Sequence, residues 1–316
     1  MMNFRQIEGF NAVMAVGTTT GAADLLHVSQ PAISRLISQL EQATNLKLFS
    51  RTKGRLVPTQ EGLLFHREVA RSFSVLDRLK AAAADIRSHG TGSVRIAALP
   101  ALGFSFIPHV ISAFLGQHFA HVSAVLEIGG SDTVREAISS GQFDIGFAAD
   151  EIDTSGILAE TFATPTAVCV LPKGHPLANK AVVEAADIQG QPFVSLSRTD
   201  NAYRRINAVL EAAGVEPKVM VETHFALSIC QLVARGIGVG LINPFGLEGI
   251  SPESVDVRPF MPIVKFRTLM IFPPQRPISE ITSSFARIAR AEAGPFLAQV
   301  LGRFDLDPGP AQRPRR

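Results

Sequence analysis

At 316 residues the chain is too long for one ordinary domain and long enough for two or three. Apolar residues make up 46% and charged residues 18%, so sizeable cores can be buried and wholesale disorder is excluded. A net charge of +2 carries no message about nucleic acid by itself, but its distribution does: from Ala43 to Pro58 the chain has Lys47, Arg51, Lys53 and Arg55 and no acid. Such a run is either a solvated loop or a patch for phosphates, and its neighbours decide between them.

The two cysteines, Cys169 and Cys230, each sit inside an apolar run and read as buried free thiols. No apolar segment is long enough to span a membrane, and Glu8 stands where a signal peptide needs its apolar stretch. A cytoplasmic protein is expected.

Phe4, Ile7, Phe10 and Val13 recur at helical spacing, which predicts a helix from Phe4 to Val16 ended by Gly17. Thr18 to Thr20 can cap a short second helix to Leu26, whose Ala22 and Ala23 allow a close crossing. His27 and Val28 make a turn. Ser29 then caps a third helix to Gln42, with Pro31 in its first turn and a buried stripe of Ile33, Leu36, Ile37 and Leu40. The opposite face carries Gln30, Pro31, Ser34, Arg35 and Ser38, with no acid before Glu41. An amide, hydroxyls and one guanidinium can read base edges or reach phosphates without repelling DNA. A helix, a tight turn, a polar-faced helix and a basic wing make a winged helix-turn-helix, against the alternative of a plain helical hairpin.

The run AADLLHVSQPAISRLISQLEQATNLKLFSR, followed by LVPTQEG, resembles the DNA-binding domain of the LysR-type transcriptional regulators. The resemblance implies that the third helix enters the major groove of double-stranded promoter DNA. Thr20, Ser29, Gln30, Pro31, Ser34, Arg35 and Ser38 would then meet bases or phosphates, and Arg51, Lys53 and Arg55 the backbone.

Thr59 is expected to cap a long helix to about Ser88. Gly62, Val69, Leu76 and Ala83 fall seven apart, as do Phe65, Ser72, Leu79 and Ile86. Periodicity alone leaves a coiled-coil seam and a helix packed on its own domain equally open. The resemblance implies the seam, because members of the family pair through this helix into dimers or tetramers.

After His89-Gly90-Thr91-Gly92-Ser93, a linker, strands and helices alternate. Strands are expected at Ser93–Leu99, Val122–Ile128 and Phe143–Ala148, with helices at Phe106–Phe119 and Ser131–Ser140. A second set of strands covers Thr166–Leu171, Pro192–Ser195, Val219–Glu222 and Gly238–Ile242, with helices at Asn201–Ala213 and Phe225–Arg235. A strand at Phe266–Phe272 and a helix at Ile278–Leu301 return to the first set, and a Pro- and Arg-rich tail follows. Alternation predicts α/β lobes with mostly parallel sheets, whose ligands sit at strand C-termini beside helix N-termini.

GSVRIAALP, SGQFDIGFA, VLPKGHPLA and QLVARGIGVGLIN resemble the family's effector-binding domain. The resemblance implies two lobes of the periplasmic-binding-protein kind, crossed near Ala163 to Thr166 and Lys265 to Thr268, with a small-molecule effector between them. The expected division is a winged helix-turn-helix at 1–59, a linker helix and hinge at 60–90, and an effector domain at 91–303. Lobe I would be 91–164 and 268–303, lobe II 165–267, and 304–316 a disordered tail.

Candidate effector contacts are the first loop with Pro100, Ala101 and Leu102; Ser131 and Thr133 at the second; and Ser195, Ser197, His224 and Asn243 across the cleft. Ser131 reads equally as a carboxylate contact or an N-cap. His224 is either a cleft residue or a surface residue at a helix start, and Asp150 either a seat for a ligand cation or a solvated charge. RQIEGFNAVM and VRIAALPALGFSFIPHVISAF resemble the opine-responsive branch, which implies an opine or basic amino acid as effector.

Catalysis is not expected. There is no G-x-S-x-G elbow and no phosphate loop, and Gly236–Gly240 lacks the dinucleotide spacing. His118 and His121 lack metal-ligand partners, so neither a metal nor a cofactor is implied. A solute-binding transport protein is the rival for the second half alone, but it would not carry the basic helix-turn-helix. The remaining partner implied is RNA polymerase.

Overall fold

The computed structural model describes residues 2–52, 55–70, 72–73, 92–116, 122–274 and 277–306. They fall into two compact units, Met1–Ala83 and Ala84–Arg316. His118, His121, most of the 89–93 linker and the tail from 307 on lie outside the described residues.

In the first unit α1 (Phe4–Val16) is opened by a reciprocal capping box between Asn3 and Gln6 and closed by left-handed Gly17. Thr18 caps α2 (Thr19–Leu26), and His27 ends it at φ 53°. Ser29 occupies the N-cap position of α3 (Gln30–Thr44), but its hydroxyl makes no capping bond. The reason is local: Pro31 has no N–H to offer, and the Ala32 N–H goes to the Ser29 carbonyl. Phe10, Ala22, Ala23, Ile33, Ile37 and Leu40 form the core beneath the crossing helices, with Leu36 only half-buried at its edge.

The wing is an antiparallel hairpin of β1 (Phe49–Thr52) and β2 (Arg55–Pro58). Glu41 anchors it from α3: one carboxylate oxygen accepts from the N–H groups of Leu48 (2.8 Å) and Phe49 (3.1 Å), the other from Lys47. Thr59 ties its far end, donating to the Lys47 carbonyl and accepting from Gly62 N–H at 3.0 Å. From there α4 runs over 60–70 and is helical again at 72–73.

Over this stretch the expected coiled-coil face turns inward. Gly62 and Val69 are buried and Phe65 lies 5.5 Å from Phe10, so the start of α4 packs on its own domain. Leu63 and Leu64, both about half exposed, are the outward apolar pair instead. Positions 76, 79, 83 and 86 lie outside the described residues.

In the second unit a five-stranded sheet has the order β4–β3–β5–β13–β6. β3 (Ser93–Ala98) pairs in parallel with β4 (Ser123–Ile128) and β5 (Ile145–Ala149). β13 (Thr268–Phe272) returns antiparallel between β5 and β6 (Leu158–Ala163), a strand that no alternation in the sequence announced. The expected loop at 100–104 contains a short helix, α5 (Pro100–Gly103). The helices α6 (Phe106–Gly116), α7 (Ser131–Ser139) and α10 (Glu280–Gly302) cover this sheet.

The other lobe holds β7 (Val168–Pro172), β8 (Val183–Glu184), β9 (Pro192–Leu196), β10 (Lys218–Thr223), β11 (Gly240–Ile242) and β12 (Val255–Met261). β10 pairs with β9 in parallel, and a bridge from Phe193 to Val239 joins that pair to the sheet β11–β7–β12–β8. Its helices are α8 (Asn201–Ala212) and α9 (Ala226–Val233). Where the chain crosses between lobes, residues 165–167 and 264–266 pair with each other. Phe266 N–H donates to Pro165 and Ala167 N–H to Val264, both at 2.8 Å.

The glycine run at 236–240 is explained by packing: a Cβ at Gly238 would meet the Pro192 carbonyl oxygen at 2.3 Å. Both cysteines are buried and unpaired, and burial pushes the Cys230 thiol up to about 12. Among the described residues no helix is long and apolar enough to cross a membrane.

A Cβ added at Gly62 would lie 2.2 Å from the Leu48 carbonyl oxygen, a backbone atom held by the Thr59 N–H at 3.0 Å. Gly62→Ala is therefore expected to cost about 1–3 kcal/mol of stability in the first unit. Thermal unfolding checks it, and a variant that melts with the wild type contradicts this packing.

Candidate functional sites

The third helix presents an uncapped, acid-free face. Gln30, Pro31, Arg35 and Ser38 are exposed and Ser34 is half-buried. Gln30 Nε2 donates to Ser34 Oγ at 3.0 Å and to Thr19 Oγ1 at 3.1 Å. The amide is thus held in one orientation, and Thr19, which sequence reasoning did not single out, is the hydroxyl that reaches it. Thr20 is exposed beside it on α2. Ser29 keeps its hydroxyl free of any capping bond. Arg35 has no hydrogen-bond or ion-pair partner among the described residues. Lys47, by contrast, is paired with Glu41 at 3.1 Å. Lys53 lies outside the described residues, as do the side chains of Arg51 and Arg55.

The second unit holds a cleft of about 580 Å³ between its lobes, at the C-terminal ends of β3, β4, β5 and β9. One wall is the start of α5 and of α7, including Pro100, Ala101, Ser131 and Thr133. The opposite wall is the start of α8 and α9, with Asp200, Arg205, His224 and Phe225, and Asn243.

Several expected contacts move. Leu102 is fully buried in the lobe core and absent from the cleft. Ser131 lines the cleft and is not an N-cap: Gly130 takes the cap position, and Ser131 Oγ accepts from Ala149 N–H at 3.0 Å, which leaves its O–H to donate. Ser195 is buried and donates to the Leu196 carbonyl, facing a separate pocket under α8. Ser197 shares a hydrogen bond with Thr199, and it is Thr199 that lines the cleft. Asp150 is neither an open seat nor a solvated charge, since Arg205 holds it. His224 lines the cleft with its ring 6.4 Å from that of Phe225, and Asn243 lines it while accepting from Phe245 N–H.

Charged and aromatic lining residues that sequence reasoning missed include Glu151, Asp200, Arg205, Phe225 and Arg267; Asp132, exposed in the first turn of α7, and Phe104 of the first loop also line the cleft. Phe104 and Phe225 meet edge-to-face across the lobes at 5.7 Å, although both remain substantially exposed. Asp200 follows β9 and caps α8, accepting from Ala202 N–H at 2.8 Å. A strand end feeding an Asp and then a helix is the signal that could have found it.

Burial pushes the Asp200 carboxyl above the usual carboxylate range, and the charge of Glu151 adds to this; the Ala202 N–H and His224 oppose it. Among the described residues no group of three His, Cys, Asp or Glu is placed to hold a metal.

Comparison with known proteins finds two matching families. "Bacterial regulatory helix-turn-helix protein, lysR family" covers residues 4–63 and "LysR substrate binding domain" covers 87–294. The chain is 36% identical to "Regulatory protein NocR" of Agrobacterium fabrum, over 90% of this chain and 95% of that protein. It is 37% identical to "Transcriptional activator protein LysR" of Escherichia coli, over 90% and 91%. It is also 37% identical to "Octopine catabolism/uptake operon regulatory protein OccR" of Rhizobium meliloti, over 82% and 85%. Among solved structures, full-length CbnR complexed with its target DNA superimposes with a TM-score of 0.70, covering 92% of this chain and 100% of that one. At 21% identity, that likeness speaks for the fold.

Because the folded chain holds the Asp200 proton more tightly than the unfolded chain, this group favours folding at low pH. The contribution is lost as pH rises through the ordinary carboxylate range and on through the raised folded value. Asp200→Asn keeps an acceptor for Ala202 N–H, so its melting temperature should gain on the wild type between about pH 3 and pH 7. Parallel melting curves across that range would show a solvated carboxyl.

Proposed function

The chain belongs to the LysR family of DNA-binding transcription regulators with an effector-binding domain, and from that premise we propose that it binds promoter DNA as a dimer or tetramer and answers to an amino-acid-like effector in the cleft. Residues 1–59 serve as the DNA-binding domain, 60–90 as the pairing helix and hinge, and 91–303 as the sensor. In the sensor, 91–164 with 268–303 and 165–267 act as the two lobes. Binding promoter DNA places the protein in the cytoplasm, alongside RNA polymerase.

On DNA, α3 enters the major groove. Gln30, oriented by Ser34 and Thr19, and Ser38 face base edges, while Arg35, Ser29, Thr20 and the wing cations Arg51, Lys53 and Arg55 meet phosphates. The bonding of Gln30 supports this role, because a fixed amide reads an edge with less loss of entropy than a free one.

For the effector, the carrying observation is the pairing of opposite polarities across one cleft. The start of α7 has no side-chain cap and offers its first N–H groups to a carboxylate, with the exposed Asp132 in the same turn. Asp200 on the facing wall is a half-buried acid that no cationic side chain among the described residues bonds. A zwitterion fits both. The relative named for octopine catabolism supports an opine or a basic amino acid. Ligand bridging the two walls shifts the lobes towards closure, and paired DNA-binding domains are respaced, so that RNA polymerase gains or loses access to the promoter.

Arg35→Ala is expected to abolish footprinting upstream of the regulator's own gene while leaving effector binding intact. A normal footprint would show that α3 is not the reading helix. Basic amino acids and opines are expected to raise the melting temperature of the full chain, with the shift lost in Asp200→Ala. No shift with any of them would sink the amino-acid reading.

A further inference from the structure

One pair of carboxylates at the cleft, Glu151 in its lining and Asp150 beside it, is already occupied by the protein itself. Asp150 and Glu151 follow β5 on the first lobe. Arg205 reaches them from α8 on the second: its Nε donates to Glu151 Oε1 and its Nη2 to Asp150 Oδ1. Its Nη1 donates to the Lys265 backbone carbonyl at 2.9 Å, at the crossing between lobes. Arg267 stands 4.0 Å from the second Asp150 oxygen. Two carboxylates thus meet two guanidinium groups, so the cluster is close to neutral and exerts little pull on a further cation. The side chains of Arg205, Asp150 and Glu151 are 29%, 19% and 26% exposed, sheltered enough for the pairing to resist screening by salt.

We propose that Arg205 sets the charge selectivity of the cleft by filling the Asp150–Glu151 carboxylates as a ligand guanidinium would, so that an effector's cation is turned away from that pair and towards Asp200 and Asp132. The forked geometry of a guanidinium matches a pair of carboxylates better than an ammonium does. Being tethered, Arg205 also competes at an effective concentration that a free ligand seldom reaches. The residue spans the lobes, so the vacancy it leaves would be a guanidinium site within the same cleft. The assignment to Asp200 and Asp132 rests on the cleft being the effector site; the internal occupancy by Arg205 does not.

The test uses the full-length protein and methylguanidine at millimolar concentration. Arg205→Ala is expected to gain more thermal stability from methylguanidine than the wild type does, and Arg205→Ala with Asp150→Asn to fall back to the wild-type response. An equal shift in wild type and Arg205→Ala, or none in Arg205→Ala, overturns the proposal. The effector reading fails by a different result, namely a wild type unshifted by basic amino acids and opines.

Should Arg205→Ala not fold, Glu151→Gln reads the same pairing from the other side. With one carboxylate neutralised, Arg205 has charge to spare for an anion. Glutarate, titrated calorimetrically, should bind this variant about tenfold tighter than the wild type, the scale of one charge-assisted hydrogen bond. Equal affinity overturns the proposal.

Discussion

The sensor depends on one constraint: the chain passes between its lobes twice, and the two passages hydrogen-bond to each other. Phe266 and Ala167 donate across to Pro165 and Val264, so the crossing behaves as a short two-stranded ribbon. A single strand would leave the lobes free to swivel, whereas a paired ribbon restricts them mainly to bending. The strand ends that build the cleft are held in register by this ribbon. Asp150 N–H bonds to the Arg267 carbonyl just beyond it, and Arg205 reaches the Lys265 carbonyl within it. Charge in the cleft is therefore coupled to the angle of the crossing by direct contacts.

The lobes are not separated all the way across. Phe106 of the first lobe lies 5.4 Å from Phe245 of the second, and Phe296 stacks on Phe245 and meets Phe106 edge-on. These rings sit in one continuous apolar core that includes residues of both sheets. Opening at that side would expose aromatic surface, at roughly 25 cal/mol for each Å². Motion is thus cheaper on the side of Phe104 and Phe225, whose edge-to-face contact is substantially exposed and gives up little on parting. A bridging ligand acts on the side where the fold resists least.

What could be read from the sequence divides by the range of the interactions that decide it. The helix-turn-helix is built from caps, turns and apolar periodicity within a few residues of each other. The ends of α1, α2 and α3 were accordingly legible to within two residues. The α/β alternation of the lobes was legible for the same reason. The cleft was not. Ser195 and Leu196 are neighbours at the end of β9 and both line the pocket under α8, yet Leu196 alone of the two reaches the cleft, a difference that composition does not announce. Asp150 looked available because its partner lies 55 residues away. At the start of α4 the sequence was equally silent: a repeat of seven does not say whether the partner of Phe65 is another chain or Phe10 of the same domain.

Both halves share a logic in how charge is disposed. In the first unit, Glu41 takes up Lys47 and fixes the wing, so that cation serves the fold, while Arg35, six residues earlier on the same helix, has nothing in the described protein to hold it. In the second, Arg205 neutralises Asp150 and Glu151 and serves the lobe contact, while among the described residues Asp200 accepts from a backbone N–H and no cationic side chain bonds it. A buried or half-buried charge without a partner costs free energy that packing must offset. Such a group is retained where a partner arrives from outside, and it loses least when that partner brings the opposite charge into the same sheltered place. Asp200 is such a group, in a cleft where Glu151 is already matched and Asp132 stands exposed on the facing wall; Arg35 is exposed on an acid-free face and carries no such cost. The protein's own ion pairs thereby narrow what each site can accept, and they do so before any ligand or promoter is present.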